Sequence, residues 1–206
     1  MIRLALLDDH PAVLTGLQRL LAPARDMEVL AAATDQVALA HELRGRRPDV
    51  LIVDYDPARG DALALCRRVK ARPDTPRVLI YTAYASPAMA IAARAAQADG
   101  LLDKSEPAAA LIAAIRRIAD GETVVPAVSR GEFEAAVARL EDTDLPIFAM
   151  LLDGASVPTI AEGLRTGERE AARRAQTIVG RLRPRLDARA PGAGEGHGSI
   201  RPRRIA

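Results

Sequence analysis

Residues 49–56 read Asp-Val-Leu-Ile-Val-Asp-Tyr-Asp. Four consecutive apolar side chains, Val50 to Val53, leave no polar face. That is the pattern of a strand covered on both sides rather than one with a wet face. Acid follows at once, at Asp54 and Asp56. The chain opens on a similar unit, Ile2-Arg3-Leu4-Ala5-Leu6-Leu7 followed by Asp8-Asp9. Working outward, further short apolar runs lie at residues 27–31, 77–81 and 100–102. Helical spacing separates them, at 13–21 (with Pro11 as an early helix residue), 35–46, 61–71, 87–98 and 106–119, the last starting from Ser105. Five strand-and-helix units in alternation predict an α/β fold with a doubly wound, five-stranded parallel sheet over residues 1–120.

The remainder reads differently. Residues 121–129 form a linker containing Pro126, and 130–140 a connecting helix. Residues 143–152 form a helix with Thr143 as N-cap, Pro146 in its first turn and Gly154 as its stop. A short helix over 159–164, a turn Arg165-Thr166-Gly167 and a longer Arg-rich helix over 168–182 follow. From Pro184 the composition turns to Arg, Pro and Gly, and residues 187–206 read as a flexible basic tail. The pattern predicts a smaller all-α unit over 140–186, joined to the first by residues 121–139.

Composition bounds the function. The chain has 206 residues, 49% hydrophobic and 27% charged, which is the balance of a globular protein. No apolar run reaches the roughly 18 residues of a membrane-spanning helix. No secretory leader is apparent, and one cysteine, Cys66, leaves no internal disulfide, so a cytoplasmic location is expected. The three histidines, at 10, 41 and 197, do not have zinc-site spacing. Net charge is +2, made of −5 over residues 1–164 and +7 over 165–206. An acidic body with a basic end implies a polyanionic partner for that end. Of 29 basic residues only Lys70 and Lys104 are lysines.

In an open parallel sheet ligands bind beyond the carboxyl ends of the strands. Those ends carry Asp8-Asp9, Asp54, Thr82 and Lys104. Each residue alone has a plainer reading: Asp8-Asp9 could cap a helix, Asp54 could serve a turn, and an isolated Lys is usually solvated. Together they place several carboxylates, a hydroxyl and an ammonium on one edge. Such a set calls for a hard divalent cation, and Mg²⁺ suits it. The cation and Lys104 would neutralise a phosphoryl group while a carboxylate attacks it to form an aspartyl phosphate.

These residues carry a family resemblance. The runs LLDDH (6–10), LIVDYDP (51–57), YTAY (81–84) and DGLLDKSEP (99–107) resemble the flavodoxin-like receiver domain of two-component response regulators. The resemblance implies Asp54 as phosphoacceptor, Asp9 and Asp54 as direct Mg²⁺ ligands, Asp8 acting through water, and the Asp56 carbonyl on the metal. Thr82 would bind the phosphoryl oxygen and Lys104 would pair with it. Two positions depart from the pattern: Asp56-Pro57-Ala58 replaces Met-Pro, and Leu101 stands where an aromatic switch residue is usual.

The segments IRRIADGETVVPAVS (115–129) and LEDTDL…IVGRL (140–182) resemble the junction and LuxR-type helix-turn-helix of the NarL/FixJ class. Leu140, Leu151, Gly154, Ile160, Ala161, Leu164, Ile178 and Leu182 fall at matching positions. The resemblance implies double-stranded DNA as partner, with contacts from Arg169, Arg173, Arg174 and Gln176. It also implies a sensor histidine kinase as phosphodonor and a homodimer on phosphorylation. Glu170-Ala171-Ala172 replaces Thr-Val-Lys in the recognition helix, and Pro184 stands where a last helix would follow. The expected function is a phosphorylation-controlled, DNA-binding transcriptional regulator that is not an enzyme. The alternatives are a receiver protein whose helix-turn-helix binds another protein instead of DNA, or a haloacid-dehalogenase-type phosphatase built on Asp54-Tyr55-Asp56. Against the phosphatase, Asp8-Asp9 lies upstream and Pro57 stands in place of Gly-Thr.

Overall fold

The computed structural model of the chain describes residues 1–56, 62–72 and 74–183. The basic tail expected over 187–206, and Pro57 and Ala58, lie outside the described residues. Five strands form one sheet: β1 (Ile2–Leu7), β2 (Met27–Ala33), β3 (Val50–Val53), β4 (Arg77–Thr82) and β5 (Gly100–Asp103). Their order is β2-β1-β3-β4-β5, and every pair is parallel. Between them run α1 (Pro11–Leu21), α2 (Gln36–Leu43), α3 (Ala62–Lys70) and α4 (Pro87–Ala95), with α5 (Ala108–Ala119) following β5. The helical remainder is α6 (Arg130–Val137), α7 (Leu145–Leu152), α8 (Val157–Leu164) and α9 (Glu168–Leu182). No helix among the described residues is long and apolar enough to cross a membrane.

The central strand behaves as its composition dictates. All four residues of β3 are buried. Val50 and Ile52 join the core beneath α1 and α5, and Leu51 and Val53 join the core on the opposite face, because successive side chains of a strand alternate. Gly100 sits where the sheet and α5 approach closely; a Cβ there would lie 2.5 Å from Ile118 Cδ1.

The second core does not stop at the sheet. It continues from Leu51, Val53 and Ile80 through α4 into α7, α8 and α9, where Phe148, Leu151, Ile160, Ala175 and Ile178 are buried. α4 packs against α6, α7 and α9 as well as β5. Its Ala90, Ala92, Ala93 and Ala95 are all at most 1% exposed. Small side chains let a helix be covered on two sides without voids. The alanine richness of this segment therefore has a packing role.

Several helix ends differ from the expectation, and side-chain chemistry accounts for them. α7 starts at Leu145, after Asp144 rather than Thr143. Asp144 is buried and holds Arg181 of α9, while the Thr143 carbonyl accepts from Arg174 at 2.9 Å. α8 starts at Val157, two residues early, because Ser156 caps it by accepting from the Thr159 N–H. α5 starts at Ala108, since the Asp103 carboxylate accepts from the Ser105 N–H at 2.7 Å and holds a turn there. The stretch 121–129 is docked: Leu101 N–H donates to the Val124 carbonyl (2.9 Å) and Val124 N–H to the Asp99 carbonyl (2.7 Å). α6 then begins with a capping box between Ser129 and Glu132.

One buried acid ties three elements together. Asp99, 6% exposed, accepts from the Val78 N–H at 2.6 Å and pairs with Lys70 at 2.5 Å and Arg77 at 2.9 Å. Lys70 thus has a partner, on the segment leading into β5. Cys66, in the same interior, is pushed up to about 12 by burial and stays a thiol.

Replacing Asp99→Ala would strand the Lys70 ammonium and the Val78 amide, and urea unfolding is expected to show a loss of roughly 3–5 kcal/mol. On the surface, Arg116 grips Asp26 with two hydrogen bonds of 2.7 and 2.9 Å, which hold the Asp26 carboxyl at about 2. The pair supports the fold above about pH 4 and loses that support as the pH falls toward 2, because the unfolded carboxyl binds protons first. In Arg116→Gln, carboxyl NMR titration is expected to find Asp26 moved up toward the ordinary aspartate value.

Candidate functional site

Parallel pairing brings four strand ends to one edge. The Asp54 N–H donates to the Leu7 carbonyl at 2.8 Å, which sets Asp54 beside Asp8, and the Lys104 N–H donates to the Thr82 carbonyl at 2.9 Å. The Lys104 ammonium reaches back across the edge. It lies 2.6 Å from Asp8 Oδ2 and 2.9 Å from Asp54 Oδ1. The Tyr81 ring lies beneath it, 5.9 Å from the ammonium to the centroid. Asp8, Asp9, Asp54 and Asp56 all line one cavity of about 210 Å³.

Two further residues join this edge without having been singled out as site residues. His10 Nδ1 lies 2.6 Å from Asp9 Oδ1 and 3.4 Å from Asp8 Oδ1, and the His10 backbone N–H donates to Asp8 Oδ1 at 2.9 Å. Asp35 lines the cavity too, although its carboxylate is engaged in capping α2 through the Val37 and Ala38 amides. His10 stood inside the LLDDH run, and its adjacency to Asp8-Asp9 was the available signal. Nothing local marked Asp35 beyond its place after β2. Asp8 and Asp9 do not cap α1, whose N-cap residue His10 makes no side-chain cap bond.

The charges are unequal. Burial raises the Asp54 carboxyl above the ordinary aspartate range; Lys104 opposes this, and the neighbouring Asp8 and Asp9 charges add to it. Burial works against the Lys104 ammonium, but hydrogen bonds to Asp8 and Asp54 prevail and raise it. Oxygens of Asp8, Asp9 and Asp54, with a His10 ring nitrogen, lie within 4.8 Å of one another. Three clustered carboxylates against one ammonium fit a hard divalent cation such as Mg²⁺.

Thr82 is fully buried at the same edge. Its hydroxyl donates to the Tyr55 carbonyl at 2.7 Å and accepts from the Tyr84 N–H at 3.1 Å. To meet a phosphoryl oxygen it must exchange the Tyr55 carbonyl for that group. Leu101 is 2% exposed and lies in the core, whereas Tyr84 is 46% exposed.

On the helical unit, α8, the turn at 165–167 and α9 form a helix-turn-helix. Arg165 ends α8 in the left-handed conformation, with φ 51°. Ala171, Ala175, Ile178 and Leu182 face inward. Arg169, Arg173 and Gln176 lie on one exposed stripe, as spacings of four and three residues require. Arg174 turns aside to the Thr143 carbonyl. Arg173 pairs with Glu170 at 2.6 Å, so the acid that replaces a polar residue in the helix is neutralised by its neighbour. Arg139, just after α6, donates to the Leu182 carbonyl at 3.2 Å, a cation placed on the C-terminal end of α9.

Comparison with known proteins follows the same division. Residues 4–116 match the response regulator receiver domain. The oxygen regulatory protein NreC of Staphylococcus epidermidis is 33% identical over 126 residues, covering 60% of this chain and 57% of that protein. NreC of Staphylococcus carnosus is 32% identical over 126 residues, covering 60% and 58%. The match thus spans little more than half the length of these relatives. RcsB of Salmonella enterica serovar Typhimurium, solved on the rprA promoter with the phosphomimetic BeF3⁻, superposes with TM-score 0.57 at 22% identity, over 88% of this chain and 92% of that one. The isolated RcsB receiver superposes with TM-score 0.53 at 24% identity, over 61% and 93%. The chain therefore shares its overall fold, sheet and helical C-terminal unit together, with RcsB. With its strand-end carboxylates, its facing lysine and the match over 4–116, the chain belongs to the response regulator receiver domain family, a family of regulatory proteins.

Proposed function

We propose that the chain is a NarL/FixJ-like transcriptional response regulator whose DNA binding is controlled by phosphorylation of Asp54. The observation that carries this reading is Lys104 held between Asp8 and Asp54 at the carboxyl edge of a parallel sheet. A receiver needs that arrangement: a carboxylate to attack, a cation facing it, and acids to hold a metal. The receiver unit spans 1–120 and the helix-turn-helix unit begins at 140, with 121–139 between them and a basic tail over 187–206.

In the reaction, an Asp54 carboxylate oxygen attacks the phosphorus of a phosphohistidine on a sensor kinase. The P–O bond forms as the P–N bond breaks, and the imidazole leaves with the electron pair. Attack needs the ionised carboxylate, and Lys104 favours that form against burial. Asp8, Asp9 and Asp54, with the Asp56 carbonyl, would hold Mg²⁺, which supplies neutralisation of the transferred charge when bound. Lys104 then exchanges part of its carboxylate pairing for the phosphoryl oxygens. The Thr82 hydroxyl follows by leaving the Tyr55 carbonyl. The transfer is stoichiometric and makes no enzyme of the chain.

DNA is the proposed partner of α9. NreC is named an oxygen regulatory protein and RcsB has been solved on promoter DNA. The exposed stripe of Arg169, Arg173 and Gln176 supports the same use here, in a cytoplasmic protein that dimerises when phosphorylated. Arg can read guanine through two hydrogen bonds or pair with phosphate. Pairing with Glu170 means that Arg173 must leave an intrahelical partner to do so.

A small acyl phosphate with Mg²⁺ is expected to label the chain once, as read by intact-mass spectrometry. Asp54→Asn abolishes the label and chelation of divalent cations suppresses it; labelling that persists in Asp54→Asn removes the assignment. In gel shifts with selected DNA, phosphorylation is expected to raise affinity. Arg169→Ala is expected to lower the slope of log affinity against log salt by about one, the signature of a lost phosphate contact.

A further inference from the structure

A second cavity lies behind the acidic one, between α2 and α3. Its volume is about 400 Å³, within the range of small-molecule pockets. Leu39, Leu43, Leu51 and Leu65 form much of its wall. Leu39 and Leu51 are buried, while Leu43 and Leu65 remain partly open toward the groove. The chain thus keeps an apolar, water-accessible slot where α2 and α3 could have closed on each other.

Its polar groups are one-sided. Among the described residues no acidic side chain lines this cavity, whereas five aspartates line its neighbour. Two arginines do, Arg68 and Arg72, both exposed. Arg68 reaches from α3 to α2 and donates to the Gln36 side-chain oxygen at 2.9 Å. That acceptor is neutral, so the bond closes the mouth without cancelling the charge. Among the described residues neither Arg68 nor Arg72 forms an ion pair, although nine other arginine and lysine residues do. An apolar slot with two uncompensated guanidinium groups at its rim complements an apolar body ending in one anion.

We propose that this groove binds a medium-chain alkyl carboxylate. The alkyl chain would lie along Leu39, Leu43, Leu51 and Leu65, and the carboxylate would accept hydrogen bonds from Arg68 and Arg72. The neutral Gln36 partner of Arg68 is replaced by a charged one. Leu7, Gln36 and Leu65 line both cavities, so the occupant would share a wall with the Asp54 site. The binding itself is independent of phosphorylation and of DNA.

The test is titration of the full unphosphorylated chain with sodium octanoate, followed by calorimetry and amide NMR. Saturable binding below the micelle concentration is expected, with the largest shifts on α2 and α3. Affinity should fall at least tenfold for 1-octanol, which lacks the charge, and for propionate, which lacks the chain. It should fall at least tenfold again for octanoate on Arg68→Gln/Arg72→Gln. Both side chains are exposed, so this variant is expected to keep the parent circular dichroism spectrum. If it does not, Arg72→Gln alone replaces it, with a fall of at least threefold expected. Absence of saturable octanoate binding overturns the proposal. So does equal binding by 1-octanol, equal binding by the arginine variant, or shifts centred away from α2 and α3.

Discussion

Everything at the functional edge depends on one ammonium group between two carboxylates. Asp8 and Asp54 are brought together because β1 and β3 are parallel neighbours in the sheet. Both are largely buried, and burial disfavours charge on Asp54. Without a cation between them the pair would repel. Lys104, delivered by the end of β5, supplies it at 2.6 and 2.9 Å. A compact ammonium can sit between two acids and later turn to a third anion, which a planar guanidinium does less readily. In a chain with so few lysines this one stands where its shape matters. The other, Lys70, is partly buried against Asp99, where a similar argument about shape applies.

The helical unit is joined to the sheet by apolar contact as well as by its connecting segment. α4 is covered by β5 on one side and by α6, α7 and α9 on the other. Ala-rich composition makes that double packing possible. The same core then runs from the strands to the inward face of α9, whose opposite face carries Arg169, Arg173 and Gln176. α4 follows directly from β4, which ends in Thr82. A change in the Thr82 hydroxyl therefore lies at the start of the segment that leads into the helix on which the C-terminal unit rests. Leu101 is buried where a switch aromatic is usual, and among the described residues this apolar route is one continuous physical connection between the β4 end and α9.

Much of this was legible along the chain. The five strands fall within a few residues of their expected places, since apolar runs bounded by polar turns depend on near neighbours. The carboxylates, Thr82 and Lys104 were placed on one edge by topology alone. Helix starts were less legible. Thr143 looked like a cap, but Asp144 precedes the helix and is held by Arg181, far along the chain. The segment around Val124 read as a linker because Gly and Pro suggest one, yet it hydrogen-bonds beside β5. The arginines of α9 were read as one basic set; the fold sorts them, turning Arg174 to a carbonyl and Arg173 to Glu170.

The amino-acid sequence by itself determined the alternation of strand and helix, and hence a parallel sheet with its chemistry at the strand ends. Hydrophobic period and terminal residues are local properties, and they suffice for that. Tertiary structure alone decided which charges meet. Lys70 finds Asp99, Arg181 meets Asp144, and Arg68 spans to Gln36 while lacking an acid. It also decided that α4 is buried on two sides and that α2 and α3 stand apart over a groove. These outcomes turn on a few ångströms between groups remote in sequence, which no local pattern carries.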